Sequence, residues 1–134
     1  MRPFVVALGL AAALSACAPM EGAPSARASS PRQCFNISTI DNFRQGDIGT
    51  IYLRARRGEV YQVSAAGGCP DVDFTHRLLI LPDPAGSVGT RLCTGDWARI
   101  VVPGDRFGSG ACRVRIDRQL TAEEVAALPP GSRP

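Results

Sequence analysis

The 134-residue chain has room for one folded domain and a tail, and its 14 glycines and 11 prolines disfavour long helices. All 15 cationic residues are arginine, and 12 acidic residues leave a formal net charge of +3. That charge is too small to favour nucleic acid as the main partner.

The N-terminus has the layout of a secretory signal peptide. Arg2 supplies the positive charge, residues 4–14 form an apolar run of 11 residues, and small residues follow. A membrane-spanning helix needs about 20 apolar residues, so this run is too short to be one. The sequence therefore predicts export, with residues 1–16 removed as the signal peptide.

The segment Leu14-Ser15-Ala16-Cys17 resembles the lipobox of bacterial lipoproteins, in which an aliphatic and two small residues precede an obligatory cysteine. In such proteins the cysteine thiol receives diacylglycerol, and cleavage frees the cysteine amine for a further acyl chain. Two or three chains, at about 0.8 kcal/mol per buried methylene, make a stable anchor. Position 18 is alanine, whereas aspartate there is associated with inner-membrane retention. The resemblance thus favours the outer membrane, facing the periplasm, over the inner membrane. An ordinary signal peptide with a chance cysteine nearby is the alternative.

Residues 18–31 are rich in Ala, Ser and Pro and show no apolar periodicity, which is typical of a flexible tether. The expected organisation is a lipidated cysteine and tether over residues 17–31, and then a single β-rich domain over residues 32–129. A disordered tail over residues 130–134 would follow it.

Four cysteines remain after Cys17, and an even number in an exported chain predicts two disulfides. Three pairings are open, and we favour Cys34–Cys112, tying the ends of the domain, with Cys69–Cys93 in its middle. A zinc site is disfavoured because these cysteines lie at least 19 residues apart, whereas zinc sites usually begin with two close cysteines.

Short alternating or apolar runs predict strands over residues 50–55, 59–65, 78–81, 91–94, 98–102 and 112–116. Residues 78–81 form a continuous apolar run, which predicts a strand covered on both faces. Five or six such strands favour a mainly β fold, a small antiparallel sandwich or barrel. One short C-terminal helix is predicted over residues 122–128, where Thr121 and Glu124 form a capping box.

The order of several segments resembles a family of uncharacterised small proteobacterial exported proteins and lipoproteins. The resemblance is carried by Cys34-Phe35, Cys69-Pro70-Asp71 and the closing Leu120-Thr121…Glu124-Val125 segment, and it spans residues 34–128. It implies an exported, cysteine-containing single domain and no assigned activity.

The best candidate for chemistry is the cluster Asp71, Asp73 and His76. Two carboxylates beside an imidazole can hold a cation or move a proton. The alternative is structural, because aspartates after Pro70 commonly form turns and cap backbone amides. No nucleophile motif or phosphate loop is present, so the sequence predicts no catalytic residue and no cofactor.

A second set of candidates is basic and aromatic. Arginine pairs on two predicted strands would form a positive face if those strands were neighbours, and a tryptophan next to a cysteine is a candidate anchor for a partner. The possible binding residues are Arg54, Arg56, Arg57, Arg113, Arg115 and Trp97. A solvated outer face, balanced by Glu59 and Asp117, is the alternative.

Two functions are therefore expected from the sequence. The first is a membrane-anchored binding or assembly module of the cell envelope. It would be held by lipid on Cys17 and would contact an envelope protein or anionic lipid. The second is a small enzyme or metal-dependent ligand binder using Asp71, Asp73 and His76.

Overall fold

The structure is a computed structural model, and it describes residues 31–69, 72–84, 89–103 and 111–134. The predicted signal peptide, Cys17, most of the tether and Asp71 lie outside these residues. Within the described ranges no helix is both long enough and apolar enough to cross a membrane.

The described residues fold into eight strands and one α-helix. The strands are β1 (Cys34–Asn36), β2 (Ile40–Gln45), β3 (Thr50–Ala55), β4 (Val60–Ala65), β5 (Leu79–Pro82), β6 (Arg91–Cys93), β7 (Trp97–Val101) and β8 (Ala111–Leu120), and the helix is α1 (Ala122–Ala127). The six predicted strands are all present, and the mainly β fold with one short C-terminal helix is confirmed. Strands β1 and β2 are additions that the sequence patterns did not predict.

Six strands form one antiparallel sheet in the order β2-β3-β4-β8-β7-β5, curled into a half-barrel, and β1 pairs with β6 in a separate two-stranded sheet. Because side chains alternate along a strand, each strand gives one face to the core. Ile51, Leu53 and Ile100 are buried on the inner face of the large sheet. Phe35 and Leu92 of the small sheet belong to the same core, so the β1–β6 pair covers the concave side.

The capping box predicted at the start of the helix is present. The side chain of Thr121 accepts a hydrogen bond from the backbone N–H of Glu124, and the Glu124 carboxylate accepts one from the backbone N–H of Thr121. These two bonds satisfy backbone donors that the first helical turn leaves free. A helix of only six residues depends on such local support.

The four cysteines of the domain form two disulfides, as predicted, but the favoured pairing is wrong. The bonds join Cys34 to Cys93 and Cys69 to Cys112. Strand order decides this, because β1 lies beside β6 with Cys34 directly opposite Cys93. Likewise, Cys69 follows β4 and Cys112 lies in β8, which is the strand that pairs with β4.

Strand β5 differs from its prediction. It is the edge strand of the large sheet, and only one of its two faces is buried. Ile80 is buried, whereas Leu79 and Leu81 are 56% and 44% exposed. The expectation of a strand covered on both faces is therefore wrong, and two leucines remain on the outer face.

The last five residues, expected as a disordered tail, are ordered. They include a 3-10 turn, Pro130–Ser132, that contacts β2. Arg133 donates hydrogen bonds to the carbonyl oxygens of Leu128 and Ala126 at 2.7 and 2.6 Å. Arg54 donates another to the carbonyl oxygen of Pro134 at 3.0 Å. Arginine side chains thus fix this segment where its backbone has no sheet partner.

Candidate functional site

The predicted carboxylate and imidazole cluster is not assembled as a metal site in the described part of the chain. Asp71 lies outside the described residues, and Asp73 and His76 are both exposed. The Asp73 carboxylate accepts a hydrogen bond from the backbone N–H of Gln45 at 3.3 Å, which is the structural role weighed against cation binding. Among the described residues no group of three or more potential metal ligands is present.

Tyr61 is a buried titratable residue of the core. The pKa of Tyr61 is raised, first by burial and then by the charge of Glu59 and the hydrogen bond to it. A tyrosine with a raised pKa stays protonated at neutral pH and is a poor base. It packs in the core, where its ring centroid lies 4.5 Å from that of Phe35.

Arg54 proves to be a structural residue. Its Nε donates to Asp41 at 3.0 Å, and its Nη1 donates to the carbonyl oxygen of Pro134 at the same distance. These two bonds leave three of the five N–H donors of the guanidinium group, and the side chain is 40% exposed, so binding through Arg54 stays a prediction.

Arg56 and Arg57 lie in the turn after β3, on the wall of a cleft of about 280 Å³ that Phe35 and Asn36 also line. Both side chains are exposed. Since β4 lies between β3 and β8, these arginines do not join Arg113 and Arg115 in one face. The single positive face considered from the sequence is therefore split into two groups.

The outer face of β5, β7 and β8 combines exposed apolar and cationic side chains. Directly opposed residues on neighbouring strands point to the same side of a sheet. Leu81 lies opposite Arg99, Arg99 opposite Arg113, and Trp97 opposite Arg115. With Leu79, two residues from Leu81 along β5, these side chains form what we call the Trp97 face: Leu79, Leu81, Trp97, Arg99, Arg113 and Arg115.

Contacts within the Trp97 face orient its aromatic ring. The guanidinium carbon of Arg113 lies 4.4 Å from the centroid of the Trp97 ring, a cation–π contact. Arg113 also pairs with Asp83, with 3.3 Å between Nη2 and Oδ2. By contrast, Arg99 and Arg115 are exposed and make no ion pair with any described residue.

The chain enters the domain near the start of β7. Arg32 forms an ion pair with the largely buried carboxylate of Asp96, the residue immediately before Trp97. The other carboxylate oxygen of Asp96 accepts a hydrogen bond from the backbone N–H of Cys93 at 2.9 Å. The end of the predicted tether is thus fixed near the start of β7, on the side of the sheet that β1 and β6 cover.

Sequence patterns predicted half of this face. Trp97, Arg113 and Arg115 were candidates, whereas Leu79, Leu81 and Arg99 were not. Arg99 could have been predicted, because it lies two residues from Trp97 on the same strand and therefore on the same face. The leucines were assigned to the core because an apolar run does not show whether one or both faces of its strand are covered.

The described residues define a class of protein, a disulfide-linked and mainly antiparallel β domain with an aromatic and cationic sheet face. The chain belongs to the family of unknown function DUF6491, whose model matches residues 1–132. No curated protein and no solved structure matches the chain. Membership of this family agrees with the expectation of an uncharacterised domain. Export, the proteobacterial origin and the segments that carry the resemblance stay predictions.

Proposed function

We propose that this protein is a lipid-anchored binding or assembly module of the cell envelope, held by Cys17, and that the Trp97 face is its binding surface. The anchor is argued from the lipobox-like segment, and two disulfides suit an oxidising compartment outside the cytoplasm. The favoured location is the outer membrane, with the domain facing the periplasm.

One observation supports the choice of surface. Among the described residues, five large apolar side chains are exposed, and three of them, Leu79, Leu81 and Trp97, lie together on this face. Scattered exposed apolar residues are ordinary, whereas a cluster rimmed by polar groups marks an interaction site. Arginine and tryptophan are also the residues most enriched where binding energy concentrates.

Crosslinking in cells tests the proposed surface. A photoreactive phenylalanine derivative replaces Leu81 in one strain and Arg57 in a matched control strain. Arg57 is also exposed but lies in the turn after β3. We expect ultraviolet-dependent adducts from position 81 and few from position 57. Equal yields at the two positions, or none at position 81, would contradict the assignment of the surface.

The anchor has its own test. Mass spectrometry of the N-terminal peptide from the membrane fraction is expected to show a diacylglyceryl-modified Cys17, with residues 1–16 absent. The Cys17→Ser variant is expected to leave the membrane fraction. An unmodified Cys17 in the mature chain would rule out the lipid anchor.

A further inference from the structure

We infer that the Trp97 face docks on an anionic lipid surface, the headgroup layer of the membrane that carries the anchor. This inference rests on the proposed function, since the anchor brings the domain to the membrane, and it names the partner of the proposed binding surface. The apolar side chains and the charges of the face match such a surface, and the predicted tether sets the reach of the domain.

The apolar part of the face suits a membrane interface. Trp97 is 36% exposed, and Leu79 and Leu81 on the edge strand β5 are 56% and 44% exposed. Tryptophan is enriched at the level of lipid headgroups because its ring is amphipathic. Three apolar side chains on one sheet face can enter that layer together, and they are too few to bury the domain.

The charged part selects an anionic surface. Arg99 and Arg115 lie on the same face as Trp97, are exposed, and make no ion pair with any described residue. Asp83 at the rim pairs with Arg113, and Asp117 accepts a hydrogen bond from Ser64, the residue opposite Arg115. Three arginines against these two carboxylates keep the face net positive. Guanidinium groups bind phosphate oxygens through two parallel hydrogen bonds, which matches phospholipid headgroups.

The predicted tether sets how far the domain reaches from the membrane. The ion pair between Arg32 and Asp96 fixes the start of the domain near the first residue of β7. A 14-residue tether spans about 50 Å at most when extended and about 20 Å on average when flexible. The tether is therefore long enough for the Trp97 face to contact the bilayer that carries the anchor.

The expected strength is modest and sensitive to salt. Each arginine near an anionic surface strengthens binding by about 1 kcal/mol, or about 5-fold in the ratio of docked to free domain. Removal of Arg99 and Arg115 together is therefore expected to lower that ratio by about 25-fold. Salt at molar concentration, with a Debye length of about 3 Å, is expected to have a similar effect.

The experiment uses Trp97, the single tryptophan of the chain, as the reporter. The full chain, processed and purified from bacterial membranes, is reconstituted in vesicles of phosphatidylcholine alone or of phosphatidylcholine mixed with phosphatidylglycerol. The readouts are the emission maximum of Trp97 and its quenching by chain-brominated phosphatidylcholine. The test variant carries Arg99→Gln with Arg115→Gln. The matched control, with the same change in charge in the turn after β3, carries Arg56→Gln with Arg57→Gln.

We expect a blue shift and quenching in the anionic vesicles only, lost in the test variant and kept in the control. Identical spectra in the two kinds of vesicle, or equal loss in both variants, would overturn lipid docking. If Trp97 gives no response while position 81 crosslinks to a protein in cells, the binding surface stands and its occupant is a protein.

Failure of the anchor is distinguishable, because the purified chain then shows no lipid on Cys17 by mass spectrometry. A blue shift of Trp97 in anionic vesicles without that lipid would keep the docking inference and overturn the anchor. A chain with neither lipid nor response would overturn both.

Discussion

The disulfide pairing can be tested with two double variants of equal composition. Cys34→Ser with Cys93→Ser removes one bond of the structure and leaves Cys69–Cys112 intact. Cys34→Ser with Cys112→Ser breaks both bonds and leaves two cysteines without their partners. Each variant replaces two thiols with two hydroxyls, so the difference between them reports the connectivity.

The expected magnitude follows from the loops that the bonds close. Sequence separations of 59 and 43 residues imply that each bond stabilises the fold by about 4 kcal/mol through the unfolded chain. A domain of this size is typically stable by about 5–15 kcal/mol. The Cys34→Ser, Cys93→Ser variant should therefore fold with reduced stability. The Cys34→Ser, Cys112→Ser variant should be largely unfolded.

Urea unfolding followed by Trp97 fluorescence gives the free energy of unfolding for each variant. Thiol titration of the denatured protein gives an independent measure, the number of free cysteine thiols. Apart from Cys17, we expect no free thiol in Cys34→Ser with Cys93→Ser and two in Cys34→Ser with Cys112→Ser. The opposite order of stability, or a bond between Cys69 and Cys93 in a well-folded second variant, would refute the reasoning.

Three further predictions concern backbone, pH and an ion pair. Gly49→Ala should destabilise the domain more than Gly58→Ala in urea unfolding. Both positions have a positive φ, 81° and 78°, which costs about 1 kcal/mol for alanine, but only at Gly49 would a Cβ lie 3.0 Å from a backbone oxygen. The backbone N–H of the helix N-cap, and then a neighbouring guanidinium, lower the pKa of the Glu124 carboxyl. Its contribution to stability is therefore present at neutral pH and lost as pH falls through the acidic range, so Glu124→Gln should flatten that part of a plot of melting temperature against pH. Arg54→Ala should cost about 1–2 kcal/mol in urea unfolding because two hydrogen bonds are lost, whereas Arg57→Ala should change stability by less than about 0.5 kcal/mol.

Local patterns accounted for much of the fold. The alternation over residues 50–55 predicted the buried face of β3. Successive side chains of a strand point to opposite faces, and only one face of β3 is buried. The helix start was predicted because a capping box depends on only four consecutive residues, Thr121 to Glu124. Both features are encoded within a few residues and need no knowledge of the topology.

Strands β1 and β2 escaped prediction for a local reason. Strand β1 has only three residues. In β2 a register shift between Ile40 and Asn42 interrupts the alternation that a sequence pattern can detect. The pairing of β1 with β6 places Cys93 opposite Cys34. Because β1 was not predicted, the predicted disulfide pairing was wrong.

The candidate site was only partly predictable because it depends on the order of strands. Arg113 and Arg115 share a face by alternation along β8, whereas their approach to Trp97 requires β7 as a neighbour. The separation from Arg56 likewise follows from β4 lying between β3 and β8. Sequence periodicity indicates which residues of one strand share a face. Strand pairing determines which residues of other strands lie beside them.

The two disulfides have a further consequence for a protein exposed to proteases. Their loops interlace, since Cys69 lies inside the loop closed by Cys34 and Cys93, and Cys112 lies outside it. If the backbone is cut once between Cys34 and Cys69 and once between Cys93 and Cys112, all three pieces stay covalently joined. In a nested arrangement the same two cuts would release the middle piece. This connectivity therefore lets the domain tolerate cleavage in two different intervals between its cysteines without losing a fragment.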